Sequence, residues 1–162
     1  MRVPPSAVLG LAVTAGFVCL AVFAPLVAPY PYDSAMGKVW EDPSPAHLLG
    51  TDMIGRDILS RLIYGGQITM LVALGSSLLS FGMGSFLGFF AVVRGGWVDQ
   101  VLSRIVDIMM SVPTLIVALV LLSILPLSLS VLIVVMGVLD STRVFRLSRA
   151  VAMDVAVMDY VE

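Results

Sequence analysis

Three long charge-free runs, residues 3–32, 62–93 and 108–139, set the pattern of this chain. Each exceeds the ~20 apolar residues a helix needs to cross a bilayer core. The first predicts a helix over about 7–28, ended by Pro25, Pro29 and Pro31. Arg2 ahead of an apolar stretch raises a signal peptide as an alternative. Ala24 and Ala28, the small residues where cleavage would fall, are each followed by proline, and the run outlasts a signal core of ~7–15 residues. The run is therefore read as a retained anchor.

In the second run Ser76, Ser80, Gly84 and Gly88 recur every four residues and share one helix face. Small side chains let another helix come close, so this face predicts a packing partner. The plainer reading is that glycine and serine are common in membrane helices. In the third run "SILPLSLS" supplies Pro126 and polar punctuation, which predicts a tight turn between two helices. The first would start near Val101 and carry Arg104 and Asp107 at i, i+3, where they can pair. The second would run from about Ser128 into "DSTRVF". The pattern favours four crossings over three.

Composition agrees with a membrane protein: 59% of residues are hydrophobic and 12% charged, with a mean hydropathy of +1.06. The net charge of -2 and the lack of a basic stripe argue against nucleic acid as a partner. One cysteine, Cys19, supports neither a disulfide framework nor a Cys/His metal site. His47 is the single histidine, with no companion ligand nearby in sequence, and the methionines are dispersed as packing residues rather than clustered for copper or nickel. No cofactor is expected. No GxxxxGK[ST] occurs, so the chain is not expected to bind ATP itself.

Lysine and arginine near the membrane ends give an orientation. Four crossings with the N-terminus in the cytoplasm put Arg2, Arg94, Arg104, Arg143, Arg146 and Arg149 inside, against Lys38, Arg56 and Arg61 outside. Three crossings with the N-terminus outside give the same ratio. Arg143, Arg146 and Arg149 read first as topology-retaining charges, and alternatively as contacts to anionic headgroups or to a partner.

The densest mixture of glycine and charge is "HLLGTDMIGRDILSRL", residues 47–62. Gly50 and Thr51 suit the start of a short helix near Asp52, although Gly55 weakens its first turn. Asp52 with Arg56, and Asp57 with Arg61, are acid-before-base pairs at i, i+4. Such a helix would lie along the membrane surface and lead into the second run.

This stretch, continued as "IYGGQITMLVALG", resembles the HxLGTDxxGRDxxSRLxYGxRxSL segment of the permease subunits of dipeptide, oligopeptide and nickel ABC importers, of the second-permease type. "GGWVDQVLSRIVDIMMSVPTLIVALVL" resembles their next part, where a glycine pair, W-x-D, R-x-x-D and a proline follow in order. "RVFRLSRAVAMDVAVMDYVE" resembles their cytoplasmic stretch into the Glu-Ala-Ala loop. Gln67 departs from an arginine common in the family. The likeness covers about 25–162.

The resemblance implies an all-α membrane protein with part of a type I importer permease fold: about four transmembrane helices and the short interfacial helix. It implies an anchor and extracytoplasmic segment over 1–62 and the beginning of the permease core over 63–162. Gly50, Thr51, Asp52, Gly55, Arg56, Asp57 and Arg61 would form an outer-face element near the mouth of the path. Arg143, Arg146, Arg149, Tyr160 and Glu162 would lie on the cytoplasmic, coupling side. Implied partners are a second homologous permease, two ATP-binding subunits, an extracytoplasmic binding protein and membrane lipid, in a bacterial or archaeal plasma membrane. Family members continue past "DYVE" into Ala-Ala and two further helices, so the sequence reads as truncated there. The alternative function is a small non-transporting helical scaffold, or a non-functional permease fragment. An intramembrane enzyme is disfavoured, because Asp107 and Asp140 have Arg104 and Arg143 beside them as charge partners rather than a second catalytic group.

Overall fold

The computed structural model describes residues 4–156. Its elements are six helices: α1 Pro5–Val22, α2 Ala24–Val27, α3 Ile58–Arg94, α4 Gly96–Ser111, α5 Thr114–Ile124 and α6 Leu129–Ala156. Among the described residues the extended chain makes only two isolated bridges, Ala35 to Arg56 and Thr51 to Asp57. The chain divides into two compact units, residues 1–71 and 72–162.

In the first unit, α1 ends six residues before the anchor helix expected from sequence. Pro25 has no N–H to donate to the carbonyl of Ala21, so the helix breaks at Phe23 and restarts as a single turn with Pro25 in its first turn. Phe17, Leu20 and Ala21 of α1 share an apolar cleft with Leu62 and Gly66 of α3. Residues 28–57 connect α2 to α3 without helix. The surface helix expected from about Asp52 is absent: Gly50 and Gly55 hold φ of +74° and +78°, which bends the backbone into turns. Helix starts at Ile58 and runs without interruption to Arg94.

In the second unit, α3 stops where Gly95 and Gly96 both take positive φ, a reversal that residues with a Cβ rarely make. Glycines then set how α3 meets α6. A Cβ on Gly84 would lie 2.6 Å from the Ser141 carbonyl oxygen and from Val144 Cβ. One on Gly88 would lie 2.9 Å from the Phe145 carbonyl oxygen and from Ser148 Cβ. On the opposite helix Gly137 faces Leu79, and Ile133 faces Gly75. The partners ascend together along both helices, so α3 and α6 run parallel, backbone nearly against backbone. Ser80 is buried on the same stripe, while Ser76 is half-buried.

Parallel neighbours require the chain to return between them, and α4 with α5 makes that return. The pair bends by 86° at Val112 and Pro113. Val112 is extended, as a residue before proline prefers, and Pro113 leaves a backbone hydrogen bond unmade. The break bends the crossing expected from near Val101 to the turn at Pro126, which is therefore not one straight helix. The connection at 125–128 includes Pro126 and leads into α6. By length and apolarity α1 and α3 can each span a membrane, and the bent α4–α5 pair counts as a third span if taken as one. Ala91, Val106 and Phe145 form one buried cluster, and Ala118, Val135 and Leu139 another.

Gly84→Leu and Gly88→Leu should each lower the thermal stability of the detergent-solubilised chain, by about 1 to 3 kcal/mol for an overpacked contact. Gly82, whose Cβ position is open, should accept leucine without loss. Equal melting of all three variants would disprove close α3–α6 packing.

Candidate functional site

The residues of "GTDMIGRD" fold around two carboxylates. Asp52 closes a tight turn: its Oδ1 accepts the N–H groups of Ile54 and Arg56 at 2.9 and 3.0 Å. Its Oδ2 accepts Arg56 Nε at 2.9 Å and an Arg61 guanidinium N–H at 2.6 Å. One acid thus holds both arginines. The pairing of Asp52 with Arg56 has the expected residues in a turn rather than a helix. Arg61, expected to pair with Asp57, bonds Asp52 instead.

Asp57 is buried and performs a different task. It precedes Ile58 as the N-cap of α3, and its Oδ2 accepts Ser60 N–H at 2.8 Å and Ser60 Oγ–H at 2.7 Å. Its Oδ1 lies 3.1 Å from His47 Nδ1. A carboxylate can only accept, so Nδ1 carries the proton. The buried His47 ring packs on Tyr30 with centroids 5.0 Å apart. Ser60 Oγ accepts Tyr30 N–H at 3.1 Å, and Tyr30 OH donates to the Ala46 carbonyl. This Ser, His and Asp set is not a catalytic relay, because Ser60 donates to Asp57 and not to the imidazole. It fastens the loop to the first turn of α3.

Thr51 completes the fastening. It is 2% exposed, its Oγ1 accepts Glu41 N–H at 2.8 Å and donates to the Lys38 carbonyl. Gly50 and Gly55 pass so close to the carbonyls of Glu41 and Gly37 that neither position has room for a Cβ. Sequence reasoning missed His47, Tyr30 and Ser60 as members of this network. Its available signal was Asp57 three residues before Ser60 at the head of an apolar run, an N-cap signature.

Burial works against both carboxylates ionising, and is outweighed in both. The N–H groups of Arg56 and Ile54, with the Arg56 guanidinium, hold the Asp52 carboxyl well below the usual carboxylate range. Ser60 N–H, Ser60 OH and His47 lower that of Asp57.

In the second unit the remaining charges separate into pairs and singles. Arg149 on α6 makes a two-pronged bridge to Asp99 on α4, Nε to Oδ1 at 2.5 Å and a terminal nitrogen to Oδ2 at 2.6 Å. Arg104 and Asp107, expected to pair, are both exposed and make no ion pair with each other among the described residues. The acid that bridges helices is Asp99, about two turns nearer the start of α4 than Asp107. Arg143 lies 3.9 Å from Asp140, and Arg146 is exposed. Gln67 is half-buried on α3. Tyr160 and Glu162 lie outside the described residues.

Helices of this length and apolarity mark an integral membrane protein. Residues 80–162 match the family of binding-protein-dependent transport system inner membrane components, and residues 4–47 match the N-terminal transmembrane domain of oligopeptide transport permease C. The chain belongs to the binding-protein-dependent transport permease family. It is 36% identical over 156 residues to the dipeptide transport system permease protein DppC of Haemophilus influenzae, covering 90% of this chain and 53% of the relative. It is 30% identical to the oligopeptide transport system permease protein OppC of Bacillus subtilis, covering 96% of this chain and 51% of the relative. For the di/tripeptide transport system permease protein DppC of Pseudomonas aeruginosa the identity is 34%, covering 89% and 50%. The chain spans about half the length of these curated relatives.

Lowered folded-state pKa values mean that Asp52 and Asp57 stabilise the loop above the unfolded carboxylate value of about 4, and that this contribution is lost as pH falls through the lowered values. Hydrogen exchange of the loop amides should therefore show protection that is level from neutral pH to about 5 and falls steeply below about 4, after correction for intrinsic exchange. Asp57→Ala should remove about 1 kcal/mol of that protection at neutral pH through loss of the cap. Protection that persists in acid would contradict the carboxylate-centred fold of the loop. For the helix bridge, an Asp99→Asn, Arg149→Gln double-mutant cycle in thermal melts should give a coupling of about 0.5 to 3 kcal/mol, whereas Arg104→Gln with Asp107→Asn should give none.

Proposed function

We propose that this chain is a permease subunit of an ATP-driven importer of di- or oligopeptides. The observation that carries the reading is family membership together with relatives that are dipeptide, oligopeptide and di/tripeptide permeases by name. Peptide is preferred to nickel on the same ground. Residues 1–62 act as anchor and extracytoplasmic segment, and 63–162 as the first part of the permease core, reaching the start of the Glu-Ala-Ala loop.

The chain works with a second homologous permease, two ATP-binding subunits and an extracytoplasmic binding protein, in a bacterial or archaeal plasma membrane. Its N-terminus faces the cytoplasm. Support for that orientation comes from the arginines: Arg94 ends α3, and Arg143, Arg146 and Arg149 crowd the later part of α6. Transport is alternating access, with closure of the ATP-binding subunits changing how the permease helices lie. Hydrolysis belongs to those partners. The tight α3–α6 pair supports this reading, because a unit packed backbone to backbone can move as one body.

Deleting the gene in its host should abolish uptake of a labelled dipeptide or oligopeptide and leave nickel uptake unchanged, with recovery on re-expression. Affinity purification from membranes should bring down a sibling permease and two ATP-binding subunits. Unchanged peptide uptake, or recovery of the chain with unrelated partners only, would favour the scaffold instead.

A further inference from the structure

In the loop at 28–57 the polar side chains of His47, Thr51 and Asp57 are buried, and Ser60 of α3 closes the network, while Asp33, Lys38 and Asp42 stay exposed. Its large apolar side chains turn outward, with Val39, Trp40, Leu48, Leu49, Met53 and Ile54 between 46% and 69% exposed. In water that arrangement is unfavourable, since apolar surface is left solvated while polar groups lose their hydration.

We propose that the outer face of this loop is a lipid-contacting surface, seated in the headgroup and upper acyl region of the bilayer around the start of α3. The position of the loop supports lipid as the occupant. Ile58 N–H donates to the Gly50 carbonyl at 3.1 Å, so Leu48 and Leu49 are tied to the first turn of a membrane-spanning helix. Arg61 of the same helix holds Asp52, the residue before Met53 and Ile54. The exposed apolar face therefore continues onto the first turn of α3, where Leu62, beside α1, is also 67% exposed.

Trp40 has the chemistry that favours this level, an apolar ring with one N–H that can reach headgroup oxygens. It is the one non-glycine residue with positive φ among those described, at +53°, and its N–H is held by the Asp52 carbonyl at 3.2 Å. The backbone thus accepts an unfavourable conformation with the indole outside. The loop's acids, Asp33, Glu41, Asp42, Asp52 and Asp57, outnumber Lys38 and Arg56, so attraction to anionic lipid does not drive the contact. The surface is matched to zwitterionic phospholipid.

The test uses the whole chain in phosphatidylcholine vesicles, with Trp97→Phe leaving Trp40 as its tryptophan. Lipid brominated high on the acyl chain should quench Trp40 roughly twofold more than lipid brominated near its end, as expected for an interfacial side chain. Aqueous acrylamide should quench it little, and added salt should change nothing. A second probe guards against a folding defect in that variant: a nitroxide on Met53→Cys in a Cys19→Ser background, which should collide with oxygen more than with a water-soluble nickel chelate. Free access of acrylamide and chelate to both positions would overturn the proposal. So would shielding that arises only when a binding protein or sibling permease is added, because the face would then belong to a protein partner. This outcome is independent of what the complex transports.

Discussion

Hydrocarbon offers no water to a polar group, and that constraint shapes both units. Along the spans the backbone satisfies itself as helix. Where helix stops between α2 and α3, backbone pairs within the loop, such as Met36 and Gly37 N–H on the Gly55 carbonyl, take most of the load, and two carboxylates add side-chain acceptors. Asp52 collects two backbone and two guanidinium donors, while Asp57 caps α3 and fixes His47. Satisfying those groups internally leaves the apolar residues of the loop on its outside. The same accounting that makes α3 a long helix makes the loop polar within.

Between helices in lipid, burial of apolar side chains gives little net driving force, because the alternative environment is as apolar as the contact. Close approach takes its place. Gly84 and Gly88 let α3 reach the backbone of α6 at Ser141 and Phe145, where many weak dispersion contacts add. Charge contributes as well: the Asp99 and Arg149 side chains are 21% and 29% exposed, and their two-pronged geometry offsets the desolvation that this burial costs. Shape therefore sets the α3–α6 contact, and the bridge fixes how α4 lies against it.

The spans were legible because lipid writes them as long charge-free runs, and the glycine stripe because period four marks one face of a helix. Legibility fell off with distance along the chain. Asp52 and Arg56 could be paired from sequence, but Asp57 was assigned to Arg61 because a helix was assumed to contain both. Moving the helix start to Ile58 turns Asp57 into a cap and frees Arg61 for Asp52. The Asp99 to Arg149 bridge joins residues 50 apart in sequence, and no local pattern announces it. Arg104 and Asp107 had the better spacing on one helix, yet the bridge formed where α4 meets α6.

The broken return shows the constraint at its limit. At 1.5 Å per residue, the 16 residues of α4 and the 11 of α5 each fall short of a hydrocarbon core of ~30 Å. The two together are long enough, but Val112 and Pro113 bend them by 86° and remove backbone hydrogen bonds at the corner. Such a break survives in a membrane only where protein or water lines it. The corner at Val112 and Pro113 opens on a depression lined also by Thr114, Thr142 and Arg143. Those side chains supply polar company that lipid would not. Arg143 thus lies beside the weakest point of the return, and its exposed guanidinium keeps that corner polar. A straight α4–α5 helix would need no such lining and would leave Arg143 without this setting. The bend and the charge are therefore one feature: the polar side chains of α6 make the interrupted span tolerable, and the interruption gives them polar surroundings.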